Sequence, residues 1–119
     1  MSANYSIEVQ SEYLYVKAVG NYNEEEFLSY PQIVKEACFK HNKKLALFNG
    51  LDVKNISLTT ISRYDMGMEI VNTIKKEIKV ALVWPITYTN YYSQAIAENY
   101  GAEFKVFHSD EAALQWLLN

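Results

Sequence analysis

Leu45-Ala46-Leu47-Phe48, closed by Asn49-Gly50, and Ile78-Lys79-Val80-Ala81-Leu82-Val83-Trp84, ended by Pro85, are the two stretches whose reading decides the fold. The first is a short run with no polar residue, and the second is the most apolar stretch of the chain, with Lys79 its one charge. A strand that alternates apolar and polar residues keeps one face in water, whereas a run without alternation is covered on both faces, the condition of a parallel sheet flanked by helices. Pro85 cannot donate to a ladder, and Asn-Gly is turn chemistry. Both runs are therefore expected to be inner strands, parallel to one another beneath packed helices.

The segments around them alternate in type. Between the two strands, the loop from Leu51 to Ile56 leads to Ser57, a suitable N-cap for a long helix whose inner face carries Leu58, Ile61, Tyr64, Met68, Val71 and Ile74. Gly67 inside that helix costs about 1 kcal/mol relative to Ala, which points to close packing against the sheet. Upstream, Tyr5, Ile7 and Val9 alternate with Ser6, Glu8 and Gln10, predicting a strand with one wet face. A short link at Ser11-Glu12 predicts a hairpin to a second strand over Tyr13–Val19, ended by Gly20. Asn23 with Glu24-Glu25-Glu26 reads as a capped helix start in which Glu26 reaches back to the cap. Phe27, Tyr30, Val34, Ala37 and Cys38 mark its buried face, Pro31 predicts a kink or restart, and the end is expected near His41-Asn42.

Downstream, Thr89 or Asn90 is the expected start of a helix that packs Tyr92, Ala95 and Ile96 inward and stops at Gly101. Phe104–Phe107 is a last strand, and Ser109 caps a final helix with Ala113, Trp116 and Leu117 on its apolar face. The order predicts one α/β domain over residues 1–119, with a five-stranded, mixed and mostly parallel sheet, an antiparallel N-terminal edge strand and about four helices.

The second half of the chain resembles the SpoIIAA-like group of small bacterial proteins, relatives of STAS anti-sigma-factor-antagonist domains and of CRAL-TRIO lipid carriers. The residues that carry the resemblance are Lys79-Val80-Ala81, Ala97 with Asn99 and Gly101, Val106-Phe107, Glu111-Ala112-Ala113 and Trp116-Leu117. They are mostly packing positions, so the resemblance implies fold more than activity. STAS antagonists carry an Asp-Ser-Ser-Gly motif with a phosphorylated serine in a loop after a central strand. The equivalent loop here is Asn49 to Thr60, where Ser57-Leu58-Thr59-Thr60 stands in place of the motif and Leu58 takes the acceptor position. Asp52, Ser57, Leu58, Thr59 and Thr60 are the candidate interaction or phosphorylation residues. A phosphate at a helix N-terminus meets free N–H groups and the positive end of the dipole, while plain capping accounts for Ser57 with no further assumption.

Composition narrows the function. The 119 residues are 50% hydrophobic and 21% charged, with net charge −3 and the eleven Lys and Arg scattered, so nucleic acid is not an expected partner. No apolar run is long enough to span a membrane, and Met1-Ser2-Ala3-Asn4 lacks the basic and apolar regions of a signal peptide, so the cytoplasm is the expected compartment. Cys38 is the one cysteine, and with His41 a helical turn away it is expected to be structural rather than nucleophilic. Two histidines, His41 and His108, without a metal-binding spacing predict no metal site, and the absence of Gly-x-Gly-x-x-Gly, Walker and Gly-x-Ser-x-Gly motifs predicts neither cofactor nor catalysis. Glu24-Glu25-Glu26 diverge around a helix axis and are expected in solvent.

Trp84-Pro85-Ile86-Thr87-Tyr88-Thr89-Asn90-Tyr91-Tyr92 lies between the inner strand and the next helix. Trp84, Tyr88, Tyr91 and Tyr92 are there the candidate pocket or partner surface, with Trp84 and Tyr92 as core residues the alternative. The resemblance implies a non-catalytic regulatory or protein-interaction domain, whose partner is another protein and which could form a homodimer. The competing expectation, from the CRAL-TRIO relationship and the aromatic and Met content, is a carrier of a lipid or other apolar small molecule.

Overall fold

The computed structural model describes residues 4–119. Met1–Ala3, part of the signal-peptide reading, lie outside the described residues. Two strands, β1 (Asn4–Val9) and β2 (Leu14–Asn21), open the fold, followed by α1 (Glu24–Lys40), β3 (Leu45–Lys54), α2 (Thr60–Ile74), β4 (Lys79–Val83), a single 3₁₀ turn at Ile86–Tyr88, α3 (Tyr92–Asn99), β5 (Glu103–Phe107) and α4 (Asp110–Leu117). The strands lie in sequence order, β1-β2-β3-β4-β5, with β1 antiparallel to β2 and every later pair parallel. This is the mixed five-stranded sheet with an antiparallel edge that the element order predicts. Among the described residues no helix is long and apolar enough to cross a membrane.

Each crossover steps one place in the same direction, and crossovers of constant hand put their helices on one side of the sheet. Accordingly Phe27, Tyr30 and Val34 of α1, Met66 and Ile70 of α2 and Ala97 of α3 share one core with Val16, Ala46, Phe48, Val80 and Phe104. Helix α4 returns across the opposite face, where Ala113 and Leu117 bury Leu47, Ala81 and Val83. Leu45–Phe48 and Lys79–Val83 are thus covered from both sides. Leu45 pairs with Lys79 and Phe48 with Leu82, in parallel register.

Several local expectations are corrected. β3 does not end at Asn49-Gly50. Lys17 pairs with Asn49 but Val19 with Asp52, so Gly50 and Leu51 together face Ala18 in a bulge, after which pairing resumes through Gly20–Val53 and Asn21–Lys54. Gly20 likewise sits inside the ladder, at φ 99°, rather than ending it. Gly50 serves a second purpose, since a Cβ there would overlap Cζ3 and Cε3 of the Trp84 ring. Asn49, 6% exposed, donates to Asp110 Oδ1 (2.7 Å) and Tyr15 Oη (3.2 Å) and accepts the Leu51 N–H (2.9 Å). The Tyr15 hydroxyl donates to Asp110 Oδ2 at 2.7 Å. This triad ties the start of α4 to β2 and β3, and burial together with the Asp110 carboxylate pushes the Tyr15 phenol up to about 12.

Helix α1 runs unbroken through Pro31, which is buried among the residues that face the sheet. Burial of that apolar face offsets the hydrogen bond that proline removes. Asn23 caps α1 as expected, accepting from Glu26 N at 2.9 Å, but Glu26 does not reach back: its Oε1 is buried without a partner. In α2 the inner face is shifted in phase to Ser62, Met66, Gly67, Ile70, Thr73 and Ile74, leaving Ile61 and Tyr64 exposed. Gly67 does mark a close approach, but to α3: a Cβ there would lie 2.9 Å from Ile96 Cβ. β1 is also wetter than its pattern predicts, with Tyr5, Ile7 and Val9 as open as the polar residues between them. Those three point to the same face as Ala18, Val16 and Leu14, beyond the cover that α1 provides.

Substituting Gly50→Ala should destabilise the fold by about 1–3 kcal/mol through the Trp84 ring it displaces. Urea unfolding followed by tryptophan fluorescence measures this.

Candidate functional site

In a parallel sheet with helical crossovers, loops at the carboxyl ends of the strands are where side chains from distant segments meet. Here the β3–α2 loop and the β4–α3 segment converge at that edge. Leu58 of the first and Trp84, Tyr88 and Tyr91 of the second line a shallow hollow of about 40 Å³, together with Phe27, Arg63 and residues of β5. The structure therefore brings together four of the nine residues expected to matter.

The remaining five stand apart from the hollow. Asp52 belongs to β3 rather than a loop, where its carboxylate lies 3.2 Å from Lys17 Nζ. Ser57 is exposed and three residues before the helix, so it is not the cap. That part falls to Thr59, whose Oγ1 accepts from Ser62 N at 3.0 Å and lies 2.9 Å from Ser62 Oγ. Ser62 Oγ in turn donates to the Glu24 carboxylate from the first turn of α1. A carboxylate already sits beside the N-terminus of α2, so a phosphate on Thr59 would meet like charge there. Thr60 is exposed in the first turn. Tyr92 is exposed at the start of α3 and is not core, and Ala95 is exposed as well.

The β4–α3 segment is held by polar contacts that its aromatic sequence does not advertise. Trp84 is buried, its ring tilted 44° to that of Phe27 with centroids 5.7 Å apart, and its carbonyl lies 3.0 Å from His108 Nδ1. A carbonyl can only accept, so Nδ1 donates to it, and the Tyr91 hydroxyl lies 3.0 Å from Nε2. Tyr91 sits at φ 62°, a left-handed conformation costly for a residue with a bulky side chain. Neither Thr89 nor Asn90 is the first residue before α3; Asn90 Oδ1 nevertheless accepts from Tyr92 N (3.0 Å) and from Arg63 Nη1 (3.3 Å). Ser93 Oγ donates to the Arg63 carbonyl at 2.5 Å. Arg63, the single arginine, thus joins α2 to this segment, and nothing in its local pattern announces that.

Away from this edge, burial pushes the Cys38 thiol up to about 11, which keeps it protonated and unreactive near neutrality. Beneath the helices, Phe27, Tyr30, Val34, Phe48 and Trp84 border an apolar cavity of about 40 Å³. Ligand pockets for small molecules run from about 300 Å³ upward, and this cavity is well below that size.

No family model matches the chain, and no curated protein does. Several solved structures are similar to it, two of them as follows. One is the crystal structure of an uncharacterized protein of the DUF3478 family with a SpoIIAA-like fold from Shewanella loihica PV-4, 22% identical, with a TM-score of 0.59 over 98% of this chain and 96% of that one. The other is an anti-sigma factor antagonist from Mycobacterium paratuberculosis, 12% identical, with a TM-score of 0.66 over 99% of this chain and 96% of that one. The fold is therefore SpoIIAA-like across the whole chain. Identities this low carry the arrangement of strands and helices and leave function to be argued from the surface.

The capping assignment has a direct check by thermal unfolding. Thr59→Ala should cost about 1 kcal/mol, whereas Ser57→Ala should change stability by no more than about 0.5 kcal/mol.

Proposed function

We propose that this domain is a non-catalytic regulatory module that acts by binding another protein. Its contact surface is the β3–α2 loop and the first turns of α2, with Tyr88 and Tyr91 beside them. The observation that carries the reading is an exposed apolar side chain next to a built recess. Ile61 is 72% exposed at the start of α2, with Tyr64 one turn further on the same side, while Leu58, Tyr88 and Tyr91 line the hollow nearby. Apolar and aromatic side chains that a partner can desolvate supply most of the energy of a protein interface. The likeness in fold to an anti-sigma factor antagonist supports a protein partner. Ser57, exposed and free of a capping duty, is the hydroxyl in this loop where a modification would alter binding without unravelling α2.

The test is affinity capture from the cell of origin with the tagged full chain, comparing wild type with Ile61→Asp, Leu58→Asp and Ser57→Asp. Because Ile61 stands in solvent, Ile61→Asp should keep the circular dichroism of the wild type while weakening capture of the specific partner by about tenfold or more. Ser57→Asp should change recovery of that partner too. Undiminished capture by both Ile61→Asp and Leu58→Asp would place the contact elsewhere.

A further inference from the structure

The two margins of the sheet are treated differently. At β5 the α3 side chain Gln94 accepts the Val106 N–H at 2.8 Å, so part of that margin is occupied. β1 forms the other margin, and its stretch from Tyr5 to Val9 contains no lysine, proline or bulge of the kind that keeps an edge strand from pairing, with Glu8 its one charge.

The backbone groups that β1 presents outward follow from its register. Gln10 N bonds Tyr13 O at 2.9 Å, continuing the β1–β2 pairing in which Val9 faces Leu14 and Glu8 faces Tyr15. Hydrogen-bonded and non-hydrogen-bonded pairs alternate along an antiparallel ladder. Ser6 and Glu8 therefore spend their N–H and C=O groups on β2, while Tyr5, Ile7 and Val9 turn theirs outward. The same three residues carry the apolar side chains, 45%, 38% and 48% exposed.

We propose that β1 pairs with β1 of a second copy of this chain, antiparallel about a two-fold axis at Ile7, joining the two sheets into one. The strand is self-complementary about that residue. With Ile7 opposite Ile7 of the other copy, Tyr5 faces Val9 and Val9 faces Tyr5, and each of these pairs exchanges two backbone bonds, about six in all. All the apolar side chains then lie together on one face. On the other face Glu8 meets Ser6. A register centred on Glu8 sets two carboxylates against each other, and one centred on Ser6 brings Val9 opposite residue 3, outside the described strand, so within Asn4–Val9 charge and bond number both select Ile7. An isologous contact of this kind closes at two copies and leaves no further edge of the same sort. It uses neither α2 nor the β4–α3 segment and stands apart from the partner surface proposed above.

Sedimentation velocity of the full chain from micromolar to near-millimolar concentration tests the pairing. The wild type should approach a dimer at the upper end. Ile7→Lys, which sets two ammonium groups face to face, should sediment as a monomer throughout. Ser6→Glu provides a variant that the folded monomer should accept: the position is exposed and opposite Lys17 within one chain, yet opposite Glu8 in the pair. It should weaken association at least tenfold, and Ser6→Glu combined with Glu8→Lys should restore it. A wild type that stays monomeric, a dimer indifferent to both single variants, or a double variant that fails to recover would each overturn the proposal.

Discussion

Burial of β3 and β4 on both faces is the constraint from which the rest of the molecule follows. Their backbone N–H and C=O groups have no water to turn to, so the ladders to β2 and β5 must be complete where the pair is covered. Their side chains, Ala46, Phe48 and Val80 to one side and Leu47, Ala81 and Val83 to the other, require helices above and below. Three crossovers supply the first layer, and α4 alone supplies the second. Because Trp84 lies directly on Gly50, the exits of the two inner strands are also held against one another.

That packing determines what the surface can offer. The exits of β3 and β4 send out the two segments that meet at the hollow, and Arg63, Asn90 and His108 tie those segments to the helices and to β5. Tyr91, at an unfavourable backbone angle, has its hydroxyl on His108. The result is a shallow recess bordered by an isoleucine in solvent. With α4 on one side and α1 on the other centred over the inner strands, β1 is left with three apolar side chains beyond their reach.

Element types and order were legible because the evidence for them is redundant. Lack of alternation identified the inner strands, and the caps at Asn23, Ser109 and Gly101 fell where their chemistry implies. Boundaries and phases were less legible, for particular reasons. Asn49-Gly50 has the chemistry of a turn, but the same chemistry serves a bulge, and only the continued pairing with β2 distinguishes the two. Ser57 and Thr59 are equally good caps in isolation, and contact of Ser62 with Glu24 of α1 favours the second. The face of α2 is ambiguous in the sequence because Ile61 and Tyr64 fit a helical stripe as well as Met66 and Ile70 do, and the choice belongs to α3 packing against Gly67. Within the site, Leu58, Trp84, Tyr88 and Tyr91 could be named from the loops that hold them. Arg63, Asn90 and His108 act through long-range polar contacts, which leave no periodic trace.

Amide hydrogen exchange resolved by residue tests the central claim most directly. If the two-sided inner pair sustains the fold, the amides of Ala46–Phe48 and Val80–Val83 should exchange last, through global unfolding alone, well after those of β1. Exchange of β3 and β4 at rates equal to β1, or earlier than α4 releases, would contradict it.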